Sequence, residues 1–305
     1  MQPSLAEGLF DGHQCTHLPR FRASARAAAI AVAALLLSLW AELVQAQPVP
    51  DGYEAVEISV GGARAATIKA YLRRPVATNP VPVVVALHGC GGLFRKDGRL
   101  AAREADWADR WVAAGYAVVL PDSFNPRGYR QICTNGNADR PIRPHHRAQD
   151  AIAVAAWLKS QSFVDPTRIA LVGWSNGGST VLNTVQRDSG FVVAIAFYPG
   201  CRPLVRRKNW APRIPLTILM GDADNWTPPS SCRELAVAHS IPLIEYPGAV
   251  HGFDAPNIRR RTRTGVGLSA NGDGNVEIGT DPKARAAAIE VVTDMLAKAF
   301  HAAHR

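Results

Sequence analysis

Residues 168–188 read RIALVGWSNGGSTVLNTVQRD. The apolar run at 168–174 predicts a strand buried on both faces. The segment 176–188 predicts a helix. Ser175 alone is left between them for the turn. A strand passing into a helix through so tight a turn lifts the turning side chain clear of the sheet's carboxyl edge. Gly173 and Gly177 leave room for that turn to pack against neighbouring backbone. Five letters of the form G-x-S-x-G arise by chance in glycine-rich chains. The strand before them and the helix after them give these five a meaning.

The same alternation extends in both directions. Upstream, YEAVEISV (53–60) and ATIKAYLRRP (66–75) alternate as an antiparallel pair joined by a glycine turn. VPVVVALHG (81–89) and YAVVLPD (116–122) read as buried strands, with a helix over 101–115 between them and another over 146–161. In the second helix Arg147 and Asp150, three apart, are expected to form an ion pair. Downstream, strands are predicted at 191–200, 214–224 and 241–250, and helices at 228–240 and 281–304, the last capped by Asp281. The fold class is therefore α/β: eight strands, mostly parallel, with helices on both faces.

A serine hydroxyl is a weak nucleophile near neutral pH and needs a base, which in turn needs an orienting acid. On a sheet of this kind both come from later strand ends, acid first. MGDADNWTP offers Asp222 and Asp224 after the strand ending near 224. PGAVHGFD offers His251, the one histidine after Ser175 that directly follows a predicted strand. Ser175, an aspartate and His251 thus form a candidate catalytic set. Charge developing on a substrate carbonyl needs backbone donors. One is the N–H of Asn176, directly after the turn. The other comes from the loop LHGCGG after the first long parallel strand, with Cys90 the leading donor and Gly91 second. Trp174 and Trp226 flank this site and are candidates either to shape an apolar substrate pocket or to belong to the core.

In order, HGCGG, DSF…RG, GWSNGG, GDADNWTP and HGFD resemble the dienelactone hydrolase family of α/β-hydrolases, particularly its exported members, over about residues 53–300. The resemblance implies the α/β-hydrolase fold and hydrolysis of esters or lactones through an acyl-enzyme. The family's acid lies in G-x-x-D-x-x-x-P, matched by Gly221, Asp224 and Pro228, which favours Asp224 over Asp222. Its histidine precedes Gly-Phe, as His251 does. The family's namesake carries cysteine at the turn where this chain has Ser175, which implies a more general esterase than a dienelactone specialist. The namesake grips a substrate carboxylate with arginines; Arg127 and Arg202 lie in loops at the matching sheet edge and are the candidates here.

The chain has 305 residues, 47% hydrophobic and 19% charged, with net charge +9. The basic excess favours anionic surfaces or substrates but says nothing about fold. Arginines 20, 22 and 26, the apolar run 27–40 and the small residues before Gln47 read as a signal peptide cleaved after Ala46, the alternative being an uncleaved anchor, for which the run is short. Residues 47–305 then form a single exported domain, periplasmic or secreted, with no membrane span. Its four cysteines predict two disulfides. Neighbouring strands precede each pair, so the expected bridges are Cys90–Cys133 and Cys201–Cys232. No cysteine or histidine spacing calls for a metal, and no motif calls for a cofactor. The basic, glycine-rich stretch 257–279 reads as a mobile, solvated excursion without the aromatic platform of a nucleic-acid surface. The expected partner is a small ester or lactone. The alternatives are a serine peptidase of the same fold, which usually carries a propeller for which this length leaves no room, and a non-catalytic binder on a hydrolase scaffold, which usually lacks one of the three residues.

Overall fold

The computed structural model describes residues 48–62 and 65–303. The expected signal segment, 1–46, lies outside the described residues. Eight strands form one sheet: β1 (Glu54–Val60), β2 (Ala66–Arg73), β3 (Val81–Leu87), β4 (Ala117–Asp122), β5 (Val164–Trp174), β6 (Val193–Phe197), β7 (Leu216–Gly221) and β8 (Leu243–Tyr246), in the spatial order β1-β2-β4-β3-β5-β6-β7-β8. β1 and β2 pair antiparallel with each other, and β2 pairs antiparallel with β4. Every other ladder is parallel. This is the expected α/β-hydrolase fold.

The composition of each strand explains its position. In β3 all residues after Val81 are buried, and every residue of β4, β6 and β7 is buried. Strands covered on both faces have no polar side to alternate with, hence the continuous valines and isoleucines. β5 begins four residues before its expected start because Val164 pairs with Val81 at the N-terminal edge. β8 ends short of its expected limit at the turn Pro247–Gly248.

The helices are α1 (Ala102–Ala113), α2 (Pro144–Lys159), α3 (Asn176–Thr184), α4 (Arg202–Val205), α5 (Pro229–His239) and α6 (Pro282–Ala302). α1 buries Glu104, Trp107, Ala108 and Trp111, a single stripe at helical spacing. α6 buries Ala284, Ala288, Val292, Leu296 and Phe300, each four residues from the last. The Asp281 carboxylate accepts the Ala284 N–H, as expected of an N-cap. α1 and α6 are joined by Arg285 Nη2 to Asp106, 2.6 Å, while α2 and α3 pack on each other.

Both expected disulfides form, Cys90–Cys133 and Cys201–Cys232. The first ties the loop after β3 to the long loop after β4, and Ile132 N–H donates to Cys90 O beside it. Residues 257–279 are not the mobile excursion that composition predicts. They contain an antiparallel hairpin, β9 (Arg261–Arg263) with β10 (Val276–Ile278). Val266 and Val276 are buried under it, Gly267 N–H donates to Cys133 O, and Ala270 N–H donates to Asn225 O. Arg259, Arg260 and Arg261 are exposed, so only this part of the charge run is solvated. Among the described residues, no helix is long and apolar enough to cross a membrane.

Candidate active site

The turn between β5 and α3 is built as its glycines require. A Cβ on Gly177 would lie 1.9 Å from Leu87 O, and one on Gly173 would lie 2.5 Å from Gly177 O. No side chain fits either gap. Ser175 has φ 55° and ψ −113°, a conformation that costs a non-glycine residue about 1–3 kcal/mol. Its N–H donates to Phe197 O at 2.9 Å, which fixes the turn to β6. Such strain persists only where surrounding packing imposes it, and it concentrates at functional sites.

Ser175 Oγ lies 2.9 Å from His251 Nε2, and His251 Nδ1 lies 2.7 Å from Asp224 Oδ2. All three side chains are buried or nearly so: Ser175 is 9% exposed, His251 4% and Asp224 3%. The Asp224 carboxylate accepts, so the imidazole proton sits on Nδ1 and Nε2 is free to receive the serine proton. Asp224 Oδ1 also accepts the N–H groups of Trp226 and Thr227, at 2.8 and 2.9 Å, and Oδ2 receives Thr227 Oγ1 at 2.9 Å. Asp222 is exposed and accepts only the Gly248 N–H. Of the two candidate aspartates, Asp224 is the one placed beside His251.

The loop after β3 and the start of α3 bring the Cys90 and Asn176 backbones to the same sheet edge as Ser175. Neither N–H donates to any acceptor among the described residues. Asn176 is also the first residue of a nine-residue helix, whose N-terminus is positively polarised. His88, at the end of β3, is fully buried. Burial, reinforced by the nearby Arg147 charge, pushes its pKa well below the usual histidine range, and its Nδ1 meets Gly89 O at 2.8 Å.

Two expected substrate contacts do not hold. Trp174 is 0% exposed. As the last residue of β5 its side chain falls on the α1 face, with ring centroids of Trp107, Trp111 and Phe197 5.8–6.3 Å away. It is core. Arg127 is committed to structure: both terminal nitrogens bind Asp150, at 2.9 and 2.7 Å, and Nη1 also donates to Ser123 O. The expected Arg147–Asp150 pair is therefore replaced by Arg127–Asp150, and Arg147 turns to Asn176 Oδ1 at 2.7 Å. Arg202 is exposed on α4. Trp226 does reach the site. Its ring centroid is 4.7 Å from that of His251, and the Arg263 guanidinium of β9 lies over the Trp226 ring, 5.1 Å from its centroid.

Sequence reasoning missed the support beneath His251. Tyr198, with φ 35°, packs its ring 4.5 Å from the His251 ring, centroid to centroid. Its hydroxyl donates to Asp254 Oδ1 at 2.5 Å, and Trp107 Nε1 donates to Asp254 Oδ2 at 2.8 Å. Its carbonyl faces Thr227 Oγ1 at 3.0 Å. Burial raises the Tyr198 pKa well above the usual phenol range, so it stays protonated and able to donate. The clue was present in HGFD, whose aspartate is Asp254.

Among known proteins, the quorum-quenching protein AidA of Acinetobacter baumannii is 33% identical over 131 residues, 43% of this chain and 39% of that protein. "Probable dipeptidyl-aminopeptidase B" of Emericella nidulans is 35% identical over 133 residues, 41% of this chain and 14% of that protein. The match thus spans less than half the length of either relative. A crystal structure described as "Putative Dienelactone Hydrolase" from Klebsiella pneumoniae superposes with a TM-score of 0.58 at 17% identity, covering 81% of this chain and 99% of that one; it shares the fold. The sequence model of the dienelactone hydrolase family matches residues 68–300, and on that match this chain belongs to the dienelactone hydrolase family.

Proposed function

We propose that this protein is a serine hydrolase that cleaves carboxylic esters or lactones through an acyl-enzyme. The observation that carries the reading is the continuous line Ser175 Oγ, His251 Nε2, His251 Nδ1, Asp224 Oδ2, at 2.9 and 2.7 Å, on a strained turn. Ser175 Oγ attacks the carbonyl carbon while His251 Nε2 takes its proton. Asp224 stabilises the imidazolium and holds its tautomer. The carbonyl oxygen, now carrying the negative charge, accepts from the N–H groups of Cys90 and Asn176. Losing one such donor costs about 3 kcal/mol. The intermediate collapses, the carbon–oxygen bond to the alcohol breaks, and His251 protonates the departing alkoxide. Water, deprotonated by His251, then attacks the acyl-enzyme, and Ser175 leaves with its proton restored. For a lactone the alcohol and acid stay joined, and the product is a hydroxy acid.

The similarity to the dipeptidyl-aminopeptidase supports a second reading, cleavage of short peptides by the same residues. Trp226 beside His251 supplies an apolar wall in either case. Export of a single domain, 47–305, is part of this proposal; two disulfides of the kind that persist in oxidising compartments support it. Parallel assays with short p-nitrophenyl esters, a small aliphatic lactone and dipeptidyl p-nitroanilides test the reading. Ester or lactone turnover that disappears in Ser175→Ala is expected. Turnover of the anilides alone overturns the ester reading in favour of the peptidase.

A further inference from the structure

Arg147 is fully buried on α2, yet its side chain makes one hydrogen bond among the described residues, from Nη1 to Asn176 Oδ1 at 2.7 Å. Its Nε and Nη2 are buried and meet no acceptor among the described residues. Its guanidinium lies 4.9 Å over the Phe124 ring. A buried cation with bare donors is unfavourable unless paired. The obvious partner, Asp150, stands three residues along the same helix, and Arg127 holds it with both terminal nitrogens. Burial lowers the Arg147 pKa to about 10, so the group is charged at neutral pH. The residue it binds is the one whose N–H the proposed mechanism aims at the oxyanion.

We propose that Arg147 is a positioning residue for the oxyanion hole. Its one hydrogen bond holds the Asn176 side chain, and with it the first turn of α3, so that the Asn176 N–H faces the carbonyl above Ser175. The fixed positive charge behind that N–H adds to the polarisation of the helix terminus. The inference rests on the serine hydrolase reading. Its energetic logic is differential: the group favours the charge present in the transition state and leaves the neutral substrate untouched.

A double-mutant cycle tests it. Asn176→Ala keeps the backbone N–H but removes the acceptor, and Arg147→Met keeps the aliphatic bulk but removes the donor and charge. Turnover of a p-nitrophenyl ester is measured for wild type, both single variants and the double variant, with thermal midpoints alongside. Each single variant is expected to lower kcat roughly 10- to 100-fold with KM little changed. The double variant is expected to be no slower than the slower single one, because both remove the same link. Arg147→Lys, which restores charge, should recover part of the loss, and it serves as the folded comparison if Arg147→Met is unstable. Additive losses, or single variants with wild-type kcat, overturn the inference while leaving the hydrolase reading intact. A wild type without turnover of any ester, lactone or anilide overturns that reading and this inference with it.

Discussion

Asp224 accepts from two backbone N–H groups, from Thr227 Oγ1 and from His251 Nδ1, whereas Asp222, two residues earlier, accepts one N–H at the surface. Asp224→Asn is therefore expected to lower kcat on the order of 10⁴-fold by presenting the wrong hydrogen-bonding group to Nδ1. Asp222→Asn is expected to leave kcat close to wild type. Steady-state kinetics of the two variants separates them. His88 makes a different prediction. Its pKa is held well below 6.5 in the folded chain and is near 6.5 when unfolded. The unfolded chain thus binds the extra proton below about pH 6.5, and the His88 contribution to stability is lost as pH falls through that value. Urea unfolding between pH 8 and 5 should show a steeper fall for wild type than for His88→Gln, by up to about 1.4 kcal/mol per pH unit. Parallel curves would contradict it. At this scale the sequence was legible where chain order and a motif decide the role, as for Ser175, Asp224 and His251. It was not legible where the outcome depends on which face a side chain takes. Trp174 is core because β5 ends with it directed at α1. Arg127 outcompetes Arg147 for Asp150 from a loop whose path no local pattern reveals.

At the scale of elements, the loop after β3 and the loop after β4 act as one piece. The Cys90–Cys133 bridge closes 43 residues of chain, and Ile132 N–H to Cys90 O lies beside it. By the chain-entropy argument the bridge contributes about 4 kcal/mol, so Cys133→Ser should lower the thermal midpoint by roughly 10 °C. At low temperature the Cys90 N–H remains available, and kcat should fall less than stability does. The opposite pattern, an unchanged midpoint with lost turnover, would contradict this account of the bridge. The hairpin β9–β10 is the element that composition concealed. Its residues are polar and basic, but Val266 and Val276 supply an apolar underside, and Gly267 sits where a Cβ would lie 2.2 Å from Asn135 backbone atoms. Gly267→Ala should lift the hairpin from the 129–143 loop and loosen Arg263 over Trp226. KM is expected to rise and the thermal midpoint to fall by several degrees as Val266 and Val276 lose cover; an unchanged KM would detach the hairpin from substrate binding.

Across the whole molecule, one sheet edge collects chemistry from five separated segments: His88–Cys90, Ser175–Asn176, Tyr198, Asp224–Thr227 and His251–Asp254. Parallel strands with helical crossovers make this possible, because every parallel strand delivers its following loop to the same edge. The eight strands were legible because burial on both faces writes them as apolar runs. The spatial order was legible only in outline, since adjacency of β3 with β5 and of β2 with β4 arises from the sheet as a whole. The central claim is that Ser175 is the nucleophile of a hydrolase. Reaction with a fluorophosphonate, followed by peptide mapping of the modified protein, tests it most directly. A single adduct on Ser175, absent from the His251→Ala variant under the same conditions, is the predicted result. A folded wild type that takes up no adduct, or one modified elsewhere with Ser175 intact, would contradict it.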